Sequence, residues 1–257
     1  MSRKVSSWVA ALAAAALVAV VAGSAFARSA ADIYSVHSLV SDGATAAAPG
    51  TDSSLVNAWG LTAGPTTPWW SANNGTNSST LYSGAGVKQA LTVSVAGAPT
   101  GTVFNGNAAD FVISQNGKNG AARFLFATEG GTIMGWTPAV NGTAAVTAAD
   151  RSSAGAIYKG LATIGDKLYA TDFHNGRIDV FDASLNLVPG GFTDATIPKG
   201  FAPFGIQALA GNIFVTYAKQ DAAKKDDVAD PGKGYVDEFT PAGQLVAHVV
   251  NSGKPNA

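Results

Sequence analysis

The chain has 257 residues, of which 47% are hydrophobic and 13% are charged. This composition excludes intrinsic disorder, because disordered chains combine few apolar residues with a high net charge. Its 16 basic and 17 acidic residues give a net charge of −1, so the chain has no overall electrostatic preference for nucleic acid. The absence of cysteine excludes disulfides, thiolate metal sites and a cysteine nucleophile.

The first 27 residues are typical of a secretory signal peptide. Arg3 and Lys4 precede an apolar run over residues 8–22, and Ala25-Phe26-Ala27 supplies a small-x-small cleavage pattern. The apolar run is shorter than the ~20 residues that span a bilayer, which disfavours the alternative of an N-terminal anchor. We therefore predict cleavage after Ala27, a secreted or periplasmic location, no membrane span in the mature chain, and one domain over residues 28–257. The N-terminal sequence of the exported protein would test this cleavage.

Beyond residue 30, short apolar runs alternate with Gly, Asn, Asp and Pro, which indicates an all-β chain. These runs are rich in Val, Ile, Tyr and Phe, which favour the pleated, half-buried surface of a sheet. In chain order, the predicted strands cover residues 111–114, 123–128, 167–171, 177–182, 212–217 and 235–240.

A glycine followed by an aliphatic or small residue recurs along the chain. These glycines are Gly60, Gly101, Gly160 and Gly205, at intervals of 41, 59 and 45 residues. Propeller blades of four strands recur at about 40–50 residues, so the spacing predicts a β-propeller with about four blades. A β-sandwich would give similar strands but not this recurring start. The longest interval contains the Gly- and Ala-rich residues 139–155, which we interpret as a loop insertion.

Several sequence stretches resemble known propellers. The segment DFHNGRIDVFD at 172–182 is similar to the second and third strands of an NHL-type repeat. The stretches LVNAWGL at 55–61, RFLFATEG at 123–130 and FAPFGIQ at 201–207 resemble an uncharacterised family of exported bacterial six-bladed propellers. Some members of that family carry a PEP-CTERM sorting signal. The resemblance implies a six-bladed ring, so this chain would be a C-terminally truncated propeller or a four-bladed relative, and it implies no particular activity.

Polar residues lie where the second strand of each repeat ends, and the charged segment 219–238 adds further carboxylates. Carboxylate and amide oxygens are the ligands that Ca²⁺ prefers, so Ca²⁺ is the ion that these residues could bind. No other cofactor is predicted. Two alternatives are that the strand-end groups bond to turn backbone and that the charged segment is a solvated hairpin insertion. The candidate metal ligands are Asn73, Glu129, Asp172, Asp226, Asp227 and Asp230.

Aromatic residues are expected mainly in the cores between blades. Trp69 and Trp70 are adjacent in a predicted strand, so they point to opposite faces, one toward a blade interface and the other toward a rim. His174 is either a base or ligand near the channel mouth or an exposed residue of a hairpin turn. The predicted core residues are Trp59, Trp69, Phe126, Tyr169, Phe181, Phe214 and Phe239.

The signal peptide and the repeat favour a binding or interaction scaffold at the cell envelope or outside the cell. The sequence contains no phosphate loop, dinucleotide fingerprint, Gly-x-Ser-x-Gly elbow or His-Glu-x-x-His motif. We expect a protein or polysaccharide ligand, and we assign no catalytic residue. The alternative is a cation-dependent hydrolase of the lactonase type, because related six-bladed folds include such enzymes and their sites lie at the mouth of the central channel.

Overall fold

The computed structural model describes residues 35–44, 48–229, 232 and 234–251. The predicted signal peptide and Asp230 lie outside these residues. The chain divides into one unit over residues 1–37 and a second over residues 38–257, and the strands of the described residues lie in the second. Among the described residues, no helix is long and apolar enough to cross a membrane.

The second unit begins with two short parallel strands, β1 (Val40–Ser41) and β2 (Gly50–Thr51). Four four-stranded antiparallel sheets follow, which we name blades 1 to 4 in chain order. Blade 1 contains β3 (Ala58–Thr62), β4 (Trp69–Asn73), β5 (Ser78–Tyr82) and β6 (Lys88–Ser94). The next strand, β7 (Pro99–Phe104), is followed by a hairpin of β8 (Val112–Gln115) and β9 (Lys118–Ala121).

Blade 2 combines β7 with β10 (Phe124–Thr128), β11 (Thr132–Trp136) and β12 (Val146–Asp150). Blade 3 contains β13 (Tyr158–Ile164), β14 (Lys167–Asp172), β15 (Arg177–Phe181) and β16 (Leu187–Val188). Blade 4 contains β17 (Phe201–Leu209), β18 (Asn212–Lys219), β19 (Tyr235–Phe239) and β20 (Leu245–Val250). Successive blades pack through β3, β7, β13 and β17, which are therefore the innermost strands of a β-propeller.

The all-β prediction is confirmed, and the six predicted strands correspond to β8, β10, β14, β15, β18 and β19 within two residues at each end. The predicted position of the insertion in blade 2 is wrong. Residues 139–155 contain β12, whose Val146 is buried against blade 3. The extra residues instead form the β8–β9 hairpin between β7 and β10. Phe111 and Ile113 are buried in the same core, which is why this segment is ordered.

The recurring glycines allow the innermost strands to touch. A Cβ on Gly60 would lie 2.5 Å from a backbone oxygen of β7, and one on Gly101 would overlap a backbone nitrogen of β13. A Cβ on Gly160 would lie 2.9 Å from a backbone oxygen of β17. In blade 4, the corresponding Gly205 faces Thr216 of its own blade. Close packing therefore requires glycine at the three junctions between successive blades, which explains why glycine recurs in the sequence.

Apolar cores fill the spaces between blades 1 and 2, 2 and 3, and 3 and 4, and a smaller cluster around Phe173 adds to the last of these. Trp70, and not Trp69, packs in the first of them. Trp70 stacks on Phe124 with ring centroids 4.0 Å apart, whereas Trp69 is 44% exposed. Strand alternation places Trp69 on the face of β4 that turns away from blade 2. Of the other predicted core residues, Phe126, Tyr169, Phe181 and Phe239 are buried, and Trp59 and Phe214 are half-buried.

Asp52 links the segment before blade 1 to that blade. Its carboxylate accepts hydrogen bonds from Tyr82 Oη at 2.6 Å, Lys88 Nζ at 2.7 Å and Ser54 N at 2.9 Å. Burial raises the pKa of Asp52, but these hydrogen bonds outweigh the effect of burial and hold the pKa below its usual value of 3.8. The charged carboxylate therefore stabilises the folded chain.

Gly101→Ala should destabilise the fold by about 1–3 kcal/mol, because the new methyl group would overlap backbone atoms of the next blade. Gly84→Ala is the matched control, since a Cβ there has no atom within 4 Å. Urea unfolding followed by circular dichroism would measure both variants. Equal stability of the two would contradict the close packing of the innermost strands.

The free energy of unfolding of Asp52→Asn should fall less steeply in acid than that of the wild type. A carboxyl group with a lowered pKa stabilises the fold above its unfolded value, and this stabilisation is lost as the pH falls through the lower folded value. Between pH 6 and pH 3 the variant should therefore lose less free energy of unfolding than the wild type. Urea unfolding at several pH values measures this difference, with exposed Asp166→Asn as the control. Parallel pH profiles for the wild type and Asp52→Asn would show that the prediction is wrong.

Candidate central binding site

The innermost strands of all four blades line a cavity of about 620 Å³. The lining includes the residue just before each repeated glycine, namely Trp59, Thr100, Lys159 and Phe204. Among these, Trp59 and Phe204 lie against each other, with ring centroids 5.5 Å apart and the rings tilted by 38°. This contact brings blade 1 close to blade 4.

Lys159 is the central charged group of this cavity. It lies in β13 and is only 3% exposed. Its ammonium group donates hydrogen bonds to Glu129 Oε1 and, at 3.1 Å, to Asp226 Oδ1. The same ammonium lies 5.2 Å from the centre of the Trp59 ring and 5.9 Å from that of Phe204. A buried ammonium requires such compensation, which here comes from two carboxylates and two aromatic faces.

Glu129 is held in place by the neighbouring blade. It directly follows β10, and its backbone nitrogen donates to Ala98 O at 3.0 Å. Asn74 Nδ2 donates to Glu129 Oε2 at 3.1 Å and to Ala98 O at 3.3 Å. The orientation of the carboxylate toward Lys159 is therefore fixed by blade 1 as well as blade 2.

Asp226 reaches the cavity from the charged segment between β18 and β19. That segment turns back through a hydrogen bond from Asp221 N to Asp226 O at 2.9 Å and one from Lys225 N to Asp221 Oδ1 at 2.8 Å. Lys224 has a φ of 54°, the left-handed conformation of a tight turn. A solvated hairpin insertion is one of the alternatives that the sequence leaves open for this segment. The Asp226 side chain is 59% exposed, as that alternative requires, but it also binds Lys159, which lines the cavity.

The structure brings Glu129 and Asp226 together around one lysine and places Asp227 in the cavity lining. Asn73 and Asp172 make other contacts. Asn73 Nδ2 donates to Ser78 Oγ at 3.2 Å and to Thr80 Oγ1 at 2.9 Å within blade 1.

Asp172 belongs to a turn at the end of β14. It accepts hydrogen bonds from Asn175 Nδ2 at 2.7 Å and from Ile157 N at 3.2 Å. Burial raises the pKa of Asp172, and its hydrogen bonds with Asn175 and Ile157 lower it in part. His174, in the same turn, does not line the central cavity, and its Nδ1 atom is buried with no hydrogen-bond partner among the described residues.

Sequence reasoning missed Lys159. Its signal was present, because the residues before the four repeated glycines are Trp59, Thr100, Lys159 and Phe204. A lysine at a position otherwise held by aromatic or small residues marks a departure from the repeat. Recognising its importance required knowing that this position faces the axis of the propeller.

Comparison with known proteins gives relatives without an assigned activity. No family model matches the chain. It is 32% identical over 154 residues to uncharacterized protein R640 of Acanthamoeba polyphaga mimivirus, covering 58% of this chain and 29% of that protein. It is 29% identical over 245 residues to uncharacterized protein R648 of the same virus, covering 89% of this chain and 60% of that protein. The chain thus spans less than two thirds of the length of either relative.

Solved structures with a similar arrangement of strands are distant in sequence. Virginiamycin B lyase from Staphylococcus aureus matches with a TM-score of 0.45 and 16% identity, over 72% of this chain and 56% of that one. A chain of a nidogen/laminin complex matches with a TM-score of 0.44 and 12% identity, over 73% and 65% of the two chains. A gluconolactonase from Xanthomonas campestris matches with a TM-score of 0.40 and 17% identity, over 51% and 44%.

Lys159→Met should destabilise the fold by about 2–3 kcal/mol, because Glu129 would lose its counter-ion while only 16% exposed. We expect less than the ~3–5 kcal/mol that is lost when one partner of a fully buried ion pair is removed, because Asp226 is largely solvated. Adding Glu129→Gln should restore at least about 1 kcal/mol, since the uncompensated charge is then removed. Urea unfolding measures the series, with exposed Lys118→Met as the control. Equal losses for Lys159→Met and Lys118→Met would contradict the role of the lysine.

Proposed function

We propose that this protein is a binding scaffold whose central cavity binds a polyhydroxylated ligand, such as a segment of a polysaccharide. The observation that carries the proposal is the position of Lys159 between the carboxylates of Glu129 and Asp226. Lys159 neutralises one of these two carboxylate charges, and Asp227 adds a further carboxylate to the lining, so the groups left to bind a ligand are aromatic rings, neutral amides and carboxylate oxygens. This combination suits uncharged polar molecules.

The aromatic and amide groups of the cavity are already oriented. Trp59 Nε1 donates to Asn57 Oδ1 at 3.1 Å, and Asn57 Nδ2 donates to Asn74 Oδ1 at 3.1 Å. Gln207 lines the same cavity from β17 and is exposed. Sugar rings present apolar faces that stack on aromatic side chains and hydroxyl groups that bond with amides. A preformed set of such groups lowers the entropic cost of binding.

The alternative, a cation-dependent hydrolase of the lactonase type, has less support from this geometry. Of the proposed oxygen ligands, Glu129 and Asp226 converge, but the Lys159 ammonium occupies the space between them. A divalent cation bound there would be repelled by this ammonium or would have to displace it. Asn73 and Asp172 are committed to hydrogen bonds within their own blades.

We also propose that the protein acts outside the cytoplasm. The support is the sequence pattern of residues 1–27 and the resemblance of the blade motifs to exported bacterial propellers. A polysaccharide ligand fits this location, because cell envelopes and extracellular matrices are rich in such polymers. The proposal for the cavity does not depend on the route of export.

Trp59→Ala should weaken binding of the ligand about tenfold, which corresponds to the loss of one aromatic stacking contact. Affinity electrophoresis in gels that contain a neutral glucan, a mannan or an acidic polysaccharide measures the binding as retarded migration. The matched control is Trp69→Ala, since Trp69 is exposed but does not line the cavity.

The expected result is that at least one neutral polysaccharide retards the wild type and Trp69→Ala, but not Trp59→Ala. Circular dichroism checks that each variant is folded. Absence of retardation in every gel, or equal loss in both variants, would overturn the proposal. Ca²⁺-dependent hydrolysis of a lactone that is lost in Asp226→Asn would favour the hydrolase instead.

A further inference from the structure

A second polar cluster lies at the outer part of blade 4, away from the central cavity. It joins Asp237 on β19, His248 on β20 and Asp194 in the connection between blades 3 and 4. One side-chain ligand atom from each residue lies within 4.8 Å of the others. His248 Nδ1 lies 3.1 Å from Asp237 Oδ1 and 3.3 Å from Asp194 Oδ2. None of the three residues lines the central cavity.

Both carboxylates of this cluster are withdrawn from solvent. The side chain of Asp237 is 1% exposed and that of Asp194 is 3% exposed, whereas the His248 side chain is 30% exposed. Two buried carboxylates this close repel each other unless a proton or a cation lies between them. The second oxygen of Asp237, Oδ2, is buried and makes no hydrogen bond of normal geometry to a described residue, although the Tyr217 hydroxyl, whose pKa burial and this carboxylate raise, lies near it. Such an unpaired carboxylate oxygen is costly, so it needs a positive partner.

The protonation preferences of the two carboxyl groups differ. Burial raises the pKa of Asp237, and the neighbouring Asp194 charge raises it further, although His248 lowers it in part. Burial also raises the pKa of Asp194, but hydrogen bonds from Thr196 and the proximity of His248 outweigh this effect and lower the pKa overall. Burial is thus the main cause of the raised pKa of Asp237.

Blade 3 shows how the same position is satisfied by cations. Asp179 on β15 corresponds to Asp237, because each pairs with the equivalent residue of the second strand of its blade, Ala170 or Val215. Asp179 Oδ1 accepts from Arg177 Nε at 2.8 Å, and Arg151 Nε lies 3.8 Å from Asp179 Oδ2.

The remaining oxygen of that carboxylate is also satisfied, since Tyr158 Oη donates to Asp179 Oδ2 at 2.7 Å. In blade 4 the described residues around Asp237 include a second carboxylate and an imidazole where blade 3 has two arginines. The carboxylate position is thus repeated in the two blades, but its cationic partners are not.

We propose that Asp194, Asp237 and His248 form a binding site for a divalent transition-metal ion of the zinc type. An ion between them would neutralise the two carboxylates and would give Asp237 Oδ2 a partner. Imidazole nitrogen suits Zn²⁺ and its neighbours in the transition series, whereas Ca²⁺ and Mg²⁺ prefer oxygen ligands alone. Three protein ligands leave a coordination position open. A cavity of about 290 Å³ lined by His248, Thr196 and Tyr235 adjoins the site on the side of the imidazole.

Isothermal titration of the chelator-treated, full-length protein with Zn²⁺ tests this site. We expect one saturable site per chain, and at least tenfold weaker binding in His248→Gln and in Asp194→Asn. The matched control is Asp182→Asn. Asp182 accepts a backbone hydrogen bond from the residue two positions later at 2.9 Å, as Asp194 does at 2.8 Å, but it lies outside the cluster. His174→Gln controls for binding to another imidazole.

Thermal unfolding provides a second readout that does not rely on the buried Asp237. At a Zn²⁺ concentration that saturates the wild type, the Tm should rise more in the wild type and in Asp182→Asn than in His248→Gln, because stabilisation by a bound ion falls as its affinity for the folded state falls. The proposal is overturned if the wild type shows no saturable Zn²⁺ binding, or if His248→Gln and Asp194→Asn bind as tightly as the wild type. Equal affinity for Ca²⁺ and Zn²⁺ would also overturn it, because the imidazole would then not be a ligand.

Discussion

The centre of this propeller depends on the contacts of the buried Lys159 ammonium group with two carboxylates and two aromatic rings. A charge buried at 3% exposure is tolerated only when its partners are in place, and those partners come from different blades. Trp59 belongs to blade 1, Glu129 to blade 2, and Phe204 and Asp226 to blade 4. In repeat proteins each unit usually contacts only its neighbours. Lys159 instead couples units that are not adjacent in the chain, so the four blades share one electrostatic centre.

The rest of the architecture follows from a simpler rule, repeated once per blade. A glycine in the innermost strand lets the next blade approach to backbone contact, and alternating apolar residues of the outer strands fill the space that results. Within this common frame, equivalent positions carry different chemistry. The third-strand position that holds Asp179 and Asp237 is Thr80 in blade 1 and Met134 in blade 2. Function in this chain therefore resides in departures from the repeat.

Local patterns predicted the strands and the blade spacing because strand alternation and turn residues act over a few positions. Long-range features were less predictable. Alternation showed that Trp69 and Trp70 face opposite ways, but only the position of blade 2 decides that Trp70 is buried. The Gly- and Ala-rich stretch at 139–155 resembled an insertion, although Val146 anchors a strand there. Lys159 and Asp226 are 67 residues apart, and their contact exists only once the blades surround an axis.

The β8–β9 hairpin gives the molecule an uneven distribution of rigidity. Phe111, at its base, is buried with a φ of 55°, and its backbone nitrogen donates to Ala183 O of blade 3 at 2.7 Å. A non-glycine residue stays in this left-handed conformation only when its surroundings enforce it. Blades 2 and 3 are therefore joined at the rim as well as at the axis. We therefore expect blades 2 and 3 to be the last part of the propeller to open in local unfolding, and blades 1 and 4 to open more readily.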